Sequence, residues 1–279
     1  MTDLRQPELT GTLARLWQRV GPPLRPSAGD CRLFQQTLSD WADKHPGAAA
    51  PRALILGATT ELWDLDWPCR DRIVVLEPDA EVAAEAWQGP ADVVQVRSWL
   101  TLDDADGRFD IVLCDAGLHT LGYPNEQAEL RQRIANVTAS GALVAFRLFC
   151  PPSRHESTVK VTSELWAGHI GNMSELMLRL AMSMQRSPPA GVRIDTVWLK
   201  LRSLCKDWAT LAVRTGWDAE DVTIADLYRS SPAKYHFSGL VEILDRFGYS
   251  DGQDFQMVRL ATGGGPLAAQ CPVVTFERL

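Results

Sequence analysis

Arg52-Ala53-Leu54-Ile55-Leu56-Gly57-Ala58-Thr59-Thr60-Glu61-Leu62 reads as a short apolar strand that stops on a glycine and enters a turn. A strand ending in glycine lets the backbone turn sharply, and without a Cβ a ligand can approach it closely. Four more apolar runs bounded by turn residues follow: Ile73-Val74-Val75-Leu76, Val93-Val94-Gln95-Val96, Ile111-Val112-Leu113-Cys114 and Ala142-Leu143-Val144-Ala145-Phe146. Runs this continuous suit strands covered on both faces, as in a parallel sheet. Helical segments intervene, clearest over 81–87 and 126–138. The alternation predicts an α/β fold with a doubly wound, mostly parallel sheet. Two last runs, Phe255 to Leu260 and Pro272 to Phe276, flank Gly263-Gly264-Gly265-Pro266 and bring the sheet to seven strands as an antiparallel C-terminal hairpin. A helix over 238–247 precedes them.

Two further regions have a helical period. Leu13, Leu16, Trp17 and Val20 mark an N-terminal helix that stops at Gly21-Pro22-Pro23, where proline forbids continuation. Leu33, Phe34, Leu38 and Trp41 mark a second over 30–44, so residues 1–50 form an N-terminal helical flap. Beyond Phe149-Cys150-Pro151-Pro152 the stripes Met173, Leu176, Met177, Leu180, Met184 and Leu201, Leu204, Cys205, Trp208, Leu211 predict an inserted helical cap over 151–237. Residues 51–150 and 238–279 make the sheet domain.

The 279 residues are 46% hydrophobic and 23% charged, an ordinary globular balance. A net charge of -7 with no basic patch argues against nucleic acid and anionic membrane as partners. The six cysteines (Cys31, Cys69, Cys114, Cys150, Cys205, Cys271) lie far apart without metal-ligand spacing, and read as reduced, mostly buried thiols with no metal. The polar start after Met1 and the lack of a long apolar stretch lead to the expectation of a cytoplasmic protein. A homodimer is left open.

The chemistry turns on Glu77, which ends the second strand run twenty residues after Gly57. A carboxylate there accepts hydrogen bonds from ribose hydroxyls in folds of this kind. Asp79 is the reserve, though it fits better as a helix N-cap. A dinucleotide also needs a glycine-lined cradle for its pyrophosphate, and Ala58, Thr59 and Thr60 supply no second glycine. A ligand with a ribose and no phosphate fits better.

With Gly57, Glu77, Ser98-Trp99 and Phe109-Asp110-Ile111-Val112-Leu113-Cys114-Asp115 in that order, residues 52–148 and the terminal hairpin resemble the class I S-adenosylmethionine-dependent methyltransferases. The family turn usually holds more glycines, and an Asp usually stands where this chain has Ser98. Residues 17–27 and 56–62 also resemble a bacterial subgroup of that family. The resemblance implies a Rossmann-like domain binding S-adenosyl-L-methionine: Glu77 on the ribose, Ser98 and Trp99 at the adenine, Gly57, Ala58 and Thr59 along the methionine part, and Asp115 facing the sulfonium. Arg25, on the flap, is the expected clamp for the methionine carboxylate.

Methyl transfer asks for alignment and, for an O–H or N–H acceptor, removal of a proton. His119 follows the fourth strand run and is the expected base, with Asp115 beside it; a structural loop histidine is the other reading. A cap of this size favours an enclosed small-molecule substrate, with Tyr123, His169, Asn172, Tyr235 and His236 as candidate contacts. Two alternatives keep the ligand. One is non-methylating chemistry, by cyclisation or aminocarboxypropyl transfer with release of methylthioadenosine. The other is a non-catalytic binding module.

Overall fold

The computed structural model describes residues 10–68, 70–248 and 254–279. Among the described residues there are nine strands: β1 Ala53–Leu56, β2 Ile73–Glu77, β3 Val94–Val96, β4 Phe109–Asp115, β5 Thr138–Arg147, β6 Val192–Arg193, β7 Lys234–Tyr235, β8 Phe255–Ala261 and β9 Val273–Arg278. Seven of them form one sheet in the order β3-β2-β1-β4-β5-β9-β8. The first five are parallel, β9 runs antiparallel to β5, and β8 antiparallel to β9. This is the expected doubly wound sheet with its C-terminal hairpin. β4 and β5 run longer than their apolar runs, because polar Asp110 and the Thr138–Gly141 segment also join the ladder.

Every residue of β1 is buried, as a central strand covered on both faces requires. Leu56 lies opposite Leu76 on one side and Cys114 on the other, so Gly57, Glu77 and Asp115 emerge side by side at the carboxyl edge. The strand order reverses between β1 and β4. In open α/β sheets that reversal is where ligands bind.

One face of the sheet packs on the helices Asn125–Val137 and Leu240–Gly248, through a cluster containing Leu54, Val112, Leu130, Ile134 and Phe247. The other packs on the helix Ala28–Lys44 and on Trp63, Trp67 and Trp87. A capping box of Ser27 and Asp30 starts the Ala28–Lys44 helix and fixes where the preceding loop must end.

Residues 151–237 are mostly helical, with Thr158–Trp166, Met173–Met184, Ile194–Arg202 and Trp208–Thr215 as the main helices. The small antiparallel pair β6–β7 within them carried no periodic signal, being two residues on each side. The stripe Met173, Leu176, Met177 and Leu180 is core: it joins a cluster that also holds Val20, Ala116 and Phe149. Cap, flap and strand ends therefore share one apolar interior. Cys31, Cys114, Cys150, Cys205 and Cys271 are free thiols, and Cys69 lies outside the described residues. Among the described residues no helix is long and apolar enough to cross a membrane.

Candidate functional site

The Gly57 turn has φ +97°, a conformation that costs glycine little and other residues much. Glu77, 8% exposed, locks it: its Oε2 accepts the Ala58 N–H at 2.9 Å and its Oε1 accepts the Asp79 N–H at 2.9 Å. Burial pushes this carboxyl up from its ordinary value, and the two amides pull against that. Each oxygen keeps a further lone pair for a ligand hydroxyl. Asp79 caps the Ala80–Glu85 helix through Glu81 N and Val82 N, which leaves Glu77 as the acid at the crevice. Thr59 sits at the N-cap of the Thr60–Trp63 helix without using its side chain there.

Trp99 is 5% exposed. Its Nε1 donates to the Leu76 carbonyl at 2.8 Å, and its six-membered ring runs past Gly57 to Gly117. A Cβ on Gly117 would come within 2.4 Å of the ring, so the indole fits only because that residue is glycine. Most of the indole is thus spent on packing at the reversal point. Ser98 is exposed, and its Oγ accepts the Leu100 N–H at 3.2 Å.

Arg25 does lie near the β1 turn, but its guanidinium is engaged. Nε and Nη2 donate to the two carboxylate oxygens of Glu61 at 2.7 and 2.6 Å. Asp115 is engaged as well. The register sets it opposite Arg147 at the end of β5, and the guanidinium, with no exposed side-chain surface, bonds both carboxylate oxygens. Arg147 Nη1 donates to the Pro23 carbonyl at 2.8 Å, fastening the flap to the pair. One buried charge cancels the other.

His119 is 8% exposed and boxed by aromatic rings: Phe149 at 4.9 Å, Tyr235 at 4.4 Å edge-on, and Phe237 at 5.4 Å nearly parallel. Its Nδ1 is buried with no hydrogen-bond partner. Burial lowers the ring's pKa to about 3, with the Arg147 charge adding to the effect and a backbone hydrogen bond at Ala116 opposing it. The ring is neutral at neutral pH, and as a base it is far weaker than the value near 7 that general-base catalysis favours. Tyr235 is neutral too, its phenol pushed up to about 12 by burial.

The remaining candidates divide. The His236 N–H donates to the His119 carbonyl at 2.7 Å, but its ring turns the other way, to the Pro188 carbonyl at 2.7 Å. Asn172 caps the Met173–Met184 helix and donates to the Pro22 carbonyl at 3.1 Å. His169 is exposed beside Glu164. Tyr123 bonds Glu242 and lies under Arg246. Of the five, only Tyr235 brings its ring to His119.

Four contributors escaped the sequence reading: Arg147, Phe149, Phe237 and Glu61. Arg147 did leave a signal, a single charge inside the apolar run from Ala142 to Phe149. Such a charge is buried only with a partner. A cavity of about 290 Å³ opens between the loop after β5 and the Met173–Met184 helix, with Arg154, Glu156, Arg179 and Met182 among its walls. Among the described residues no three His, Cys, Asp or Glu side chains are grouped to hold a metal ion.

No protein-family model and no curated protein matches the chain. Solved structures do. The CcbJ methyltransferase from Streptomyces caelestis is 12% identical with a TM-score of 0.51, over 96% of this chain and 97% of that one. A Rhodobacter sphaeroides structure carrying the name of zinc-dependent alcohol dehydrogenases is 14% identical with a TM-score of 0.51, over 97% and 99%. The N-methyltransferase NodS from Bradyrhizobium japonicum WM9, in complex with S-adenosyl-L-homocysteine, is 12% identical with a TM-score of 0.48, over 96% and 98%. With the strand order and the antiparallel β9, the chain has the Rossmann-like fold of the class I S-adenosylmethionine-dependent methyltransferases.

Proposed function

We propose that the chain binds S-adenosylmethionine across the ends of β1, β2 and β4 and transfers its methyl group to a small, uncharged acceptor. Fold likeness alone comes with two different names, so the residues of the site carry the reading. The observation that carries the reading is Glu77: a buried carboxylate tied to the Gly57–Ala58 turn, beside the reversal of strand order, with no glycine cradle for a pyrophosphate. Glu77 would receive the ribose hydroxyls, Ser98 would stand at the adenine edge, and Gly57, Ala58 and Thr59 would line the methionine part. The neighbour CcbJ, named a methyltransferase, agrees with this reading.

When bound, the sulfonium supplies an electrophilic methyl group. The chain's own residues then align the acceptor and keep water away. Phe149, Tyr235 and Phe237 favour an apolar body. Asp115 and Arg147 already neutralise each other, so neither needs a charged acceptor. His119 Nδ1, without a partner of its own, would hold the reacting group by a hydrogen bond and would not carry its proton away. The nucleophile is therefore one whose lone pair attacks by alignment before any proton is lost, such as a neutral amine, whose methylated product leaves as the ammonium ion and gives up its proton to solvent.

The test is mass spectrometry after incubation with isotope-labelled methyl donor and a small-metabolite fraction. Labelled methyl in a small product, with S-adenosylhomocysteine formed alongside, is the expected result. Methylthioadenosine carrying the label, released above the buffer control with no S-adenosylhomocysteine formed, would replace methylation by side-chain transfer or cyclisation.

A further inference from the structure

The segment from Gly21 to Ser27 meets the sheet's carboxyl edge and is held there at several points. The Gly21 N–H reaches Ser174 Oγ at 3.4 Å, the Pro22 carbonyl accepts from Asn172, and the Pro23 carbonyl accepts from Arg147. All three use the backbone of the segment. The fourth attachment differs: Arg25 and Glu61 meet through side chains alone, in a two-bond fork of 2.7 and 2.6 Å. Their side chains are 15% and 30% exposed, so a dissolved anion can reach the pair.

A fork of this geometry is how a guanidinium holds any carboxylate, including that of an amino acid. Glu61 lies four residues beyond Gly57, on the short helix that leaves the turn. Arg147, at the end of β5, has no exposed side-chain surface and is engaged by Asp115 and the Pro23 carbonyl. A ligand carboxylate arriving over Gly57 therefore meets Arg25, and finds another carboxylate already on it.

We propose that Glu61 is an internal occupant of the ligand-carboxylate subsite on Arg25, displaced when a nucleoside carrying an amino-acid group binds. The inference rests on the S-adenosylmethionine reading and adds a competing group to it. Arg25 exchanges one carboxylate for another, so it keeps a counter-ion throughout, and Glu61 swings to solvent. The internal pair reduces the affinity for carboxylate-bearing ligands to its intrinsic value multiplied by the fraction of time Arg25 is free. Ligands of the same nucleoside without the amino acid do not sense it.

Calorimetric titration of the full chain with S-adenosylhomocysteine and with methylthioadenosine tests this, because only the first has the carboxylate. Glu61→Gln keeps the shape and removes the charge. It should tighten S-adenosylhomocysteine about fivefold, the scale of a partly exposed ion pair, and leave methylthioadenosine unchanged. Arg25→Gln should weaken S-adenosylhomocysteine more than tenfold, again without effect on methylthioadenosine, whose binding also reports that each variant is folded. If Glu61→Gln leaves S-adenosylhomocysteine unchanged or weakens it, Glu61 is no competitor. If Arg25→Gln weakens both ligands alike, Arg25 only shapes the flap; either result overturns the exchange and leaves the nucleoside reading standing. Binding of neither ligand to any of the three proteins removes both together.

Discussion

The two halves of the carboxyl edge are built differently. At β1 and β2 the geometry is made by the backbone and one acid: Gly57 turns at φ +97°, and Glu77 pins Ala58 and Asp79 within its own two loops. At β4 and β5 it is made by side chains gathered from distant segments. Asp115 meets Arg147, Arg147 meets Pro23 of the flap, and His119 meets Phe149, Tyr235 and Phe237. The first half needs only short-range chemistry and keeps lone pairs for a ligand. The second is buried and depends on cap and flap being in place.

That contrast can be broken most severely at Asp115. Asp115→Ala would strand the Arg147 guanidinium without its counter-charge, and urea unfolding should show a loss of about 3–5 kcal/mol. Asp115→Ala combined with Arg147→Met should recover much of it. A single variant within about 1 kcal/mol of the parent would mean that water reaches the guanidinium and that this half is not dry.

A smaller effect sharpens the same point at His119. An unfolded imidazole titrates near 6.5, whereas this one waits until about 3. The unfolded chain therefore takes up the proton first, and stability falls as pH drops through the window below 6.5. Between pH 6.5 and 5 the loss amounts to about 1.5 kcal/mol. His119→Leu should remove that component from denaturation curves measured across the window. Identical pH slopes in both proteins would place the ring in contact with water.

The same division explains what could be read from the sequence. The strands, the doubly wound parallel sheet and the C-terminal hairpin follow from continuous apolar runs and glycine-rich turns, signals that local physics writes directly. Gly57, Glu77 and the N-cap Asp79 were legible for that reason. Arg25 lies near the β1 turn, but its partner Glu61, thirty-six residues away, left no mark in the sequence. Trp99 stood at an expected position, yet its packing against Gly117 is a matter of fit between strand ends. His119 was marked by its place after β4. Its weak basicity comes from Phe149, Tyr235 and Phe237, whose convergence no spacing encodes. The polar residues singled out in the cap largely serve structure, as Asn172 does in capping a helix and His236 in bonding Pro188.

The central claim is that the β1–β2 half receives a nucleoside through Glu77. Titration of S-adenosylhomocysteine into the parent chain and into Glu77→Ala tests it most directly. Saturable binding to the parent is expected, with an affinity lower by about 1.5–3 kcal/mol in the variant, the worth of hydrogen bonds to a charged carboxylate. Equal affinity in the two proteins, or no binding to the parent, would contradict it.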